Sequence, residues 1–133
     1  MLHRRHYTPE EANALLPLIA RTVRDLRDAS HRMAGAGLDT DLALRAETSG
    51  GAWPGRERAA AAIVLSLGFE RLEELDIVVR DLERGIVDFP AVMVGREVYL
   101  CWQADEPEVS HWHGLESGFA SRRPVGRPAR RIY

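Results

Sequence analysis

Cysteine is almost missing from this chain: Cys101 is the only one in 133 residues, so no internal disulfide can form and a reducing compartment is the default expectation. In its apolar setting Cys101 reads as a buried thiol, with a reactive nucleophile as the sharper alternative. There is no apolar stretch of ~18 or more residues. Met1 to Tyr7 carries arginines with no hydrophobic region after them, so neither a membrane span nor a signal peptide is expected, and the expected location is the cytoplasm. Lysine is absent altogether. All 18 basic residues are arginine, a bias attributed first to genome composition. Net charge is only -2, which gives no global argument for nucleic acid.

At this length the chain fits one domain, able to bury roughly two-thirds of its unfolded surface. That domain is expected over residues 1–123, with a flexible connector at about 35–55 and an arginine- and proline-rich tail at 124–133. The connector is glycine-rich with few large apolar residues, and a mobile loop is its plain reading; a lid over a site is the alternative. The tail has no apolar periodicity, and disorder is expected there.

The densest apolar run is GIVDFPAVMVGREVYLCW, residues 85–102. Val98, Leu100 and Trp102 alternate with Glu97, Tyr99, Cys101 and Gln103, which is the period of a half-buried strand. Ile86 to Phe89 supplies a partner strand, Pro90 marks an edge or strand end, and Gly95 permits a tight reversal. A third strand is expected at Ile77 to Arg80, followed by a turn ending at Gly85. Together these make a three-stranded antiparallel meander.

Two amphipathic helices are expected to cover it. Thr8-Pro9-Glu10-Glu11 is a helix start, with Thr8 as cap and Glu11 as its capping-box partner. Ala12, Leu16, Ile19, Val23, Leu26 and Met33 then recur on one face, so the helix runs to about Met33, bent at Pro17. The second helix spans Arg56 to Leu75, with an apolar stripe at Ala60, Ile63, Val64, Leu67, Leu72 and Leu75. The fold class is therefore α+β: an antiparallel two-helix hairpin packed on the meander, with an irregular C-terminal segment. Any part of the stripe left uncovered would pair with a second copy, so a homodimer is one expected partner, beside an unknown protein or a small ligand.

The segments YTPEEANALLP, GIVDFP, GREVYLCW and WHGLESGF, in this order and spacing, resemble the family known as domain of unknown function 2203, over most of residues 7 to 124. The resemblance implies no established activity. It offers no counterpart for Gly35 to Gly55 or for the tail after Pro124, and it favours Trp112-His113 over His111.

Chemistry is most concentrated at QADEPEVSHWHGLESGF, residues 103–119. His111 and His113 share one side of an extended chain, and Glu106, Glu108 or Glu116 could complete a site for a divalent metal such as Zn, Mn or Fe. The alternative is that His113 bonds a strand-end carbonyl while the acids are solvated. Asp88 lies between Val87 and Phe89, where an ionised carboxylate needs a partner; Arg96 or Arg122 is the expected one. If Asp88 and His113 meet, they form an acid–base or ligand-orienting pair and are the candidate catalytic residues. Trp102, Trp112 and Phe119 are aromatic candidates to line a ligand site, although Trp102 fits a plug between sheet and helices better. Arg122 is a candidate for a phosphate or carboxylate ligand. The tail's Gly126-Arg127-Pro128 is similar to an AT-hook, with Val125 where that motif has arginine, so Arg122 to Arg131 is a weak candidate for nucleic acid.

Three functions follow in order of preference. The first is a non-catalytic binding or assembly protein. The second is a small metal-assisted hydrolase using residues 106–116, and the third is a nucleic-acid accessory acting through the tail.

Overall fold

The computed structural model describes residues 1–38 and 53–126. The elements are α1 (Pro9–Leu38), α2 (Trp53–Glu74), β1 (Val78–Asp81), β2 (Ile86–Met93), β3 (Arg96–Gln103), β4 (His111–Gly114), a short 3-10 turn (Phe119–Ser121) and β5 (Arg123–Pro124). The class is α+β, as the sequence predicts. The meander has five antiparallel strands in chain order rather than three. The two extra strands lie in the segment expected to be irregular. They are too short, at 4 and 2 residues, to carry an alternation distinguishable from loop.

The start of α1 is the capping box. The Glu11 amide donates to Thr8 Oγ1 at 3.1 Å and the Thr8 amide donates to Glu11 Oε1 at 2.9 Å, which satisfies donors the first helical turn leaves open. Pro17 lies within the helix. The helix continues to Leu38, beyond the expected end at Met33. The connector proper, 39–52, and the tail from 127 onward, with most of the AT-hook-like segment, lie outside the described residues.

Strand β2 does not end at Phe89 but continues through Pro90 to Met93. The reason is local. β1 stops opposite Asp88, so Pro90 faces no ladder on that side and its missing N–H costs nothing. The Tyr7 amide donates to Pro90 O there, at 2.7 Å.

The sheet has two faces of different chemistry. Val87, Phe89, Ala91, Val98, Leu100 and Trp102 join Ala12, Leu16, Ile19, Val23 and Leu26 of α1 and Leu72 of α2 in one core. The opposite face carries Asp88, Tyr99, Cys101, His111 and His113, as cross-strand register requires. At the β2–β3 reversal Val94 and Gly95 both have positive φ, 51° and 72°, the backbone of a two-residue hairpin loop. Among the described residues, no helix is long and apolar enough to cross a membrane.

Candidate functional site

The polar face of the sheet gathers most of the titratable groups singled out in the sequence, and the geometry starts from register. Asp88 of β2 faces Cys101 of β3, and His113 of β4 faces Tyr99 of β3. The Asp88 and His113 side chains therefore meet above β3. Nε2 of His113 is 3.0 Å from both Asp88 oxygens, while Nδ1 is 2.8 Å from Gly114 O. A carbonyl can only accept, so Nδ1 carries a proton, and Nε2 closes a hydrogen bond with the Asp88 carboxyl on the other side of the ring.

A second cation sits on the same carboxylate. Arg80 Nε donates to Asp88 Oδ2 at 2.7 Å, so the partner of Asp88 is Arg80, not the expected Arg96 or Arg122. A bulge explains the reach. Register runs from Val79↔Val87 to Asp81↔Ile86, leaving Arg80 as the extra residue, free of a cross-strand mate and able to lean over the sheet. Its guanidinium also lies 4.7 Å from the centre of the Tyr99 ring.

Cys101 is buried beside this cluster. Burial first, then the negative charge and hydrogen bond of Asp88, push its thiol up to about 12. The neutral thiol is the wrong state for a nucleophile.

Tyr99 opens a second chain of contacts that sequence reasoning missed. Its hydroxyl is 2.6 Å from His3 Nε2, and His3 Nδ1 is 2.8 Å from Asp76 Oδ1. With Nδ1 protonated, His3 donates to Asp76 and accepts from Tyr99. Asp76 also receives the amides of Arg4 and Arg5 at 3.1 and 3.3 Å; the His3 hydrogen bond is the main cause holding its carboxyl low. Glu97 takes the amides of Leu2 and His3 at 2.6 and 3.0 Å and the His6 ring at 2.7 Å. Two carboxylates thus strap residues 2–6 across the sheet. No periodicity marks such a segment, and only its two histidines hint at a role.

On the other flank, Arg122 donates to Glu106 Oε1 at 2.8 Å and stacks on Phe119 at 4.0 Å, with Arg84 over the same ring at 4.9 Å. Burial works to raise the Glu106 carboxyl, but Arg122 and the Gln103 amide outweigh it and hold it low. His111 Nδ1 is 3.9 Å from Glu106 Oε2. Glu116 is exposed in the turn after β4. Trp102 is 2 % exposed and belongs to the core, its indole N–H donating to Glu106 O at 2.9 Å. Trp112 points to the helix side and lines an open groove of about 940 Å³ with Met93, Val98, Leu115, Arg96 and Arg123.

His111, His113, Glu106 and Glu116 do not form a three-donor set among the described residues. A different trio does: Asp88, Cys101 and His113 bring ligand atoms within 4.8 Å of one another. The ring orientation suits a ligand, since the other nitrogen of His113 is tied to a carbonyl. The surroundings do not. The Arg80 guanidinium occupies Asp88 and Arg122 bears on Cys101. This donor set is engaged by guanidinium groups and fits them better than a divalent cation.

No curated protein and no solved structure matches the chain. A family model described as "Uncharacterized conserved protein (DUF2203)" matches residues 5–125, and with nearly the whole chain covered, the protein belongs to that family.

Proposed function

We propose that this is a non-catalytic binding or assembly protein, its helices forming an antiparallel hairpin over the sheet and its contacts made by the outer face of α2 and the groove beside Trp112. One observation carries the reading. Asp88 and His113, the candidate acid–base pair, are 0 % and 2 % exposed and satisfy one another, so neither is presented to a substrate. Buried polar groups closed on themselves specify a fold, whereas a general base has to reach the proton it takes.

The second reading is a metal-assisted hydrolase, favoured by the Asp88, Cys101 and His113 trio. Metal analysis of the purified protein separates the two. The proposal expects far less than one equivalent of zinc, manganese or iron per chain, unchanged in Cys101→Ser. Stoichiometric metal, lost in Cys101→Ser and in His113→Ala, would overturn it; the cysteine variant guards against a histidine variant that fails to fold.

A further inference from the structure

We infer that the outward face of α2 is a self-association surface that pairs antiparallel with α2 of a second copy. The inference rests on the assembly reading and names its partner.

The inner face of α2 is set by close approach. A Cβ at Gly68 would stand 2.5 Å from Leu26 Cδ2 of α1, and Ala61 and Leu72 on the same side are 0 % and 1 % exposed. At about 100° per residue, Arg56, Ala60, Ile63, Leu67, Glu70 and Glu74 form a row on the far side. Their alternating spacing of four and three is that of a seam packed lengthwise against another helix. The middle of the row is apolar and open: Ile63 is 59 % and Leu67 is 61 % exposed. Among the described residues of α1, no large hydrophobic side chain is exposed in this way. The apolar stripe expected in the sequence is thus divided, Leu72 going inward and Ala60, Ile63 and Leu67 outward.

Charge selects the occupant. The row begins with Arg56 and ends with Glu70 and Glu74, and none of these has an ion-pair partner among the described residues. The first turn of α2 has no acid, and Arg71 is the only base near its end, so the charges run against the helix dipole. A second copy turned end for end about the midpoint of Ile63 and Leu67 places Ile63 on the partner's Leu67, Arg56 on the partner's Glu74 and Ala60 on the partner's Glu70. It also opposes the two dipoles. A parallel copy would set like charges side by side. One sequence is therefore complementary to itself in one direction only, which a segment of the same chain or an unrelated protein has no reason to match.

Sedimentation equilibrium of the full chain over a wide concentration range tests this. The expected result is a reversible monomer–dimer equilibrium. Leu67→Glu shifts it to monomer, and its thermal unfolding matches that of the wild type diluted to monomer, because Leu67 is outside the core. Glu74→Arg weakens the dimer by roughly tenfold, as loss of two exposed ion pairs implies, and Arg56→Glu combined with Glu74→Arg restores it. A wild-type monomer at every concentration overturns the inference, whether hydrogen exchange then shows the α2 face open or covered by other residues of the chain. A dimer indifferent to Leu67→Glu, or one the double exchange fails to restore, overturns it as well. Failure here leaves the non-catalytic reading to be judged by metal content alone.

Discussion

His113 reaches Asp88 over the top of an intervening strand: the two residues sit on β4 and β2, strands roughly 9–10 Å apart, yet Nε2 lies 3.0 Å from each carboxylate oxygen. The bond clamps three strands of the sheet at one point. Removing Asp88 leaves the buried His113 ring without its partner, and removing His113 leaves the buried carboxyl with Arg80 alone, which costs about 1–3 kcal/mol in either case. Asp88→Asn and His113→Gln should each lower the free energy of unfolding in urea by that order. The double variant should lose much less than the sum, since the pair acts as one unit. Additive losses would mean that the two side chains act separately.

Cys101 gives a chemical test of the same region. Its thiol lies at about 12, so the thiolate fraction in the folded protein is negligible at neutral pH. Labelling by iodoacetamide at pH 8 should be slower than for unfolded protein by a factor approaching the folding equilibrium constant, the limit that global opening sets. Fast labelling of the native state would show that the cluster opens to solvent.

The β2–β3 reversal stores strain at Val94. A β-branched residue at φ 51°, and 94 % exposed, has neither a comfortable backbone nor any packing in return. Asn-Gly is the dipeptide this loop geometry prefers. Val94→Asn should therefore stabilise the protein by about 1 kcal/mol, seen as a higher urea midpoint at unchanged slope. A lower midpoint would show that Val94 has a contact of its own.

What could be read from the sequence divides along physical lines. The capping box at Thr8 and Glu11 and the alternation of Val98, Leu100 and Trp102 are local signals, so both were legible. The meeting of Asp88 with His113 was legible as a condition, since a carboxylate between Val87 and Phe89 must find a partner. Arg80 was not, because its reach depends on a bulge whose extra residue leaves no mark on the pattern. The strap of His3 and His6 on Asp76 and Glu97 joins positions some 70 to 95 residues apart, and nothing in short-range periodicity reports such pairing. The family match covers Arg80, His6, Asp76 and Glu97, though not His3, without assigning them a role.

That strap makes the stability of the fold depend on pH. Burial works to raise the Glu97 carboxyl, but the His6 ring and the amides of His3 and Leu2 outweigh it and bring it from 4.5 to about 2. A carboxyl depressed on folding binds its proton more readily in the unfolded chain. Its contribution is therefore complete above pH 4.5 and is lost as pH falls towards 2. Glu97→Gln keeps the shape and removes the titration. The melting temperature of the wild type should exceed that of Glu97→Gln above pH 5, and the gap should close between pH 4.5 and 2. A gap constant through that range would mean that the amides are held by shape alone. A gap that widens on acidification would reverse the sign of the linkage and place the charge of Glu97 among the destabilising terms.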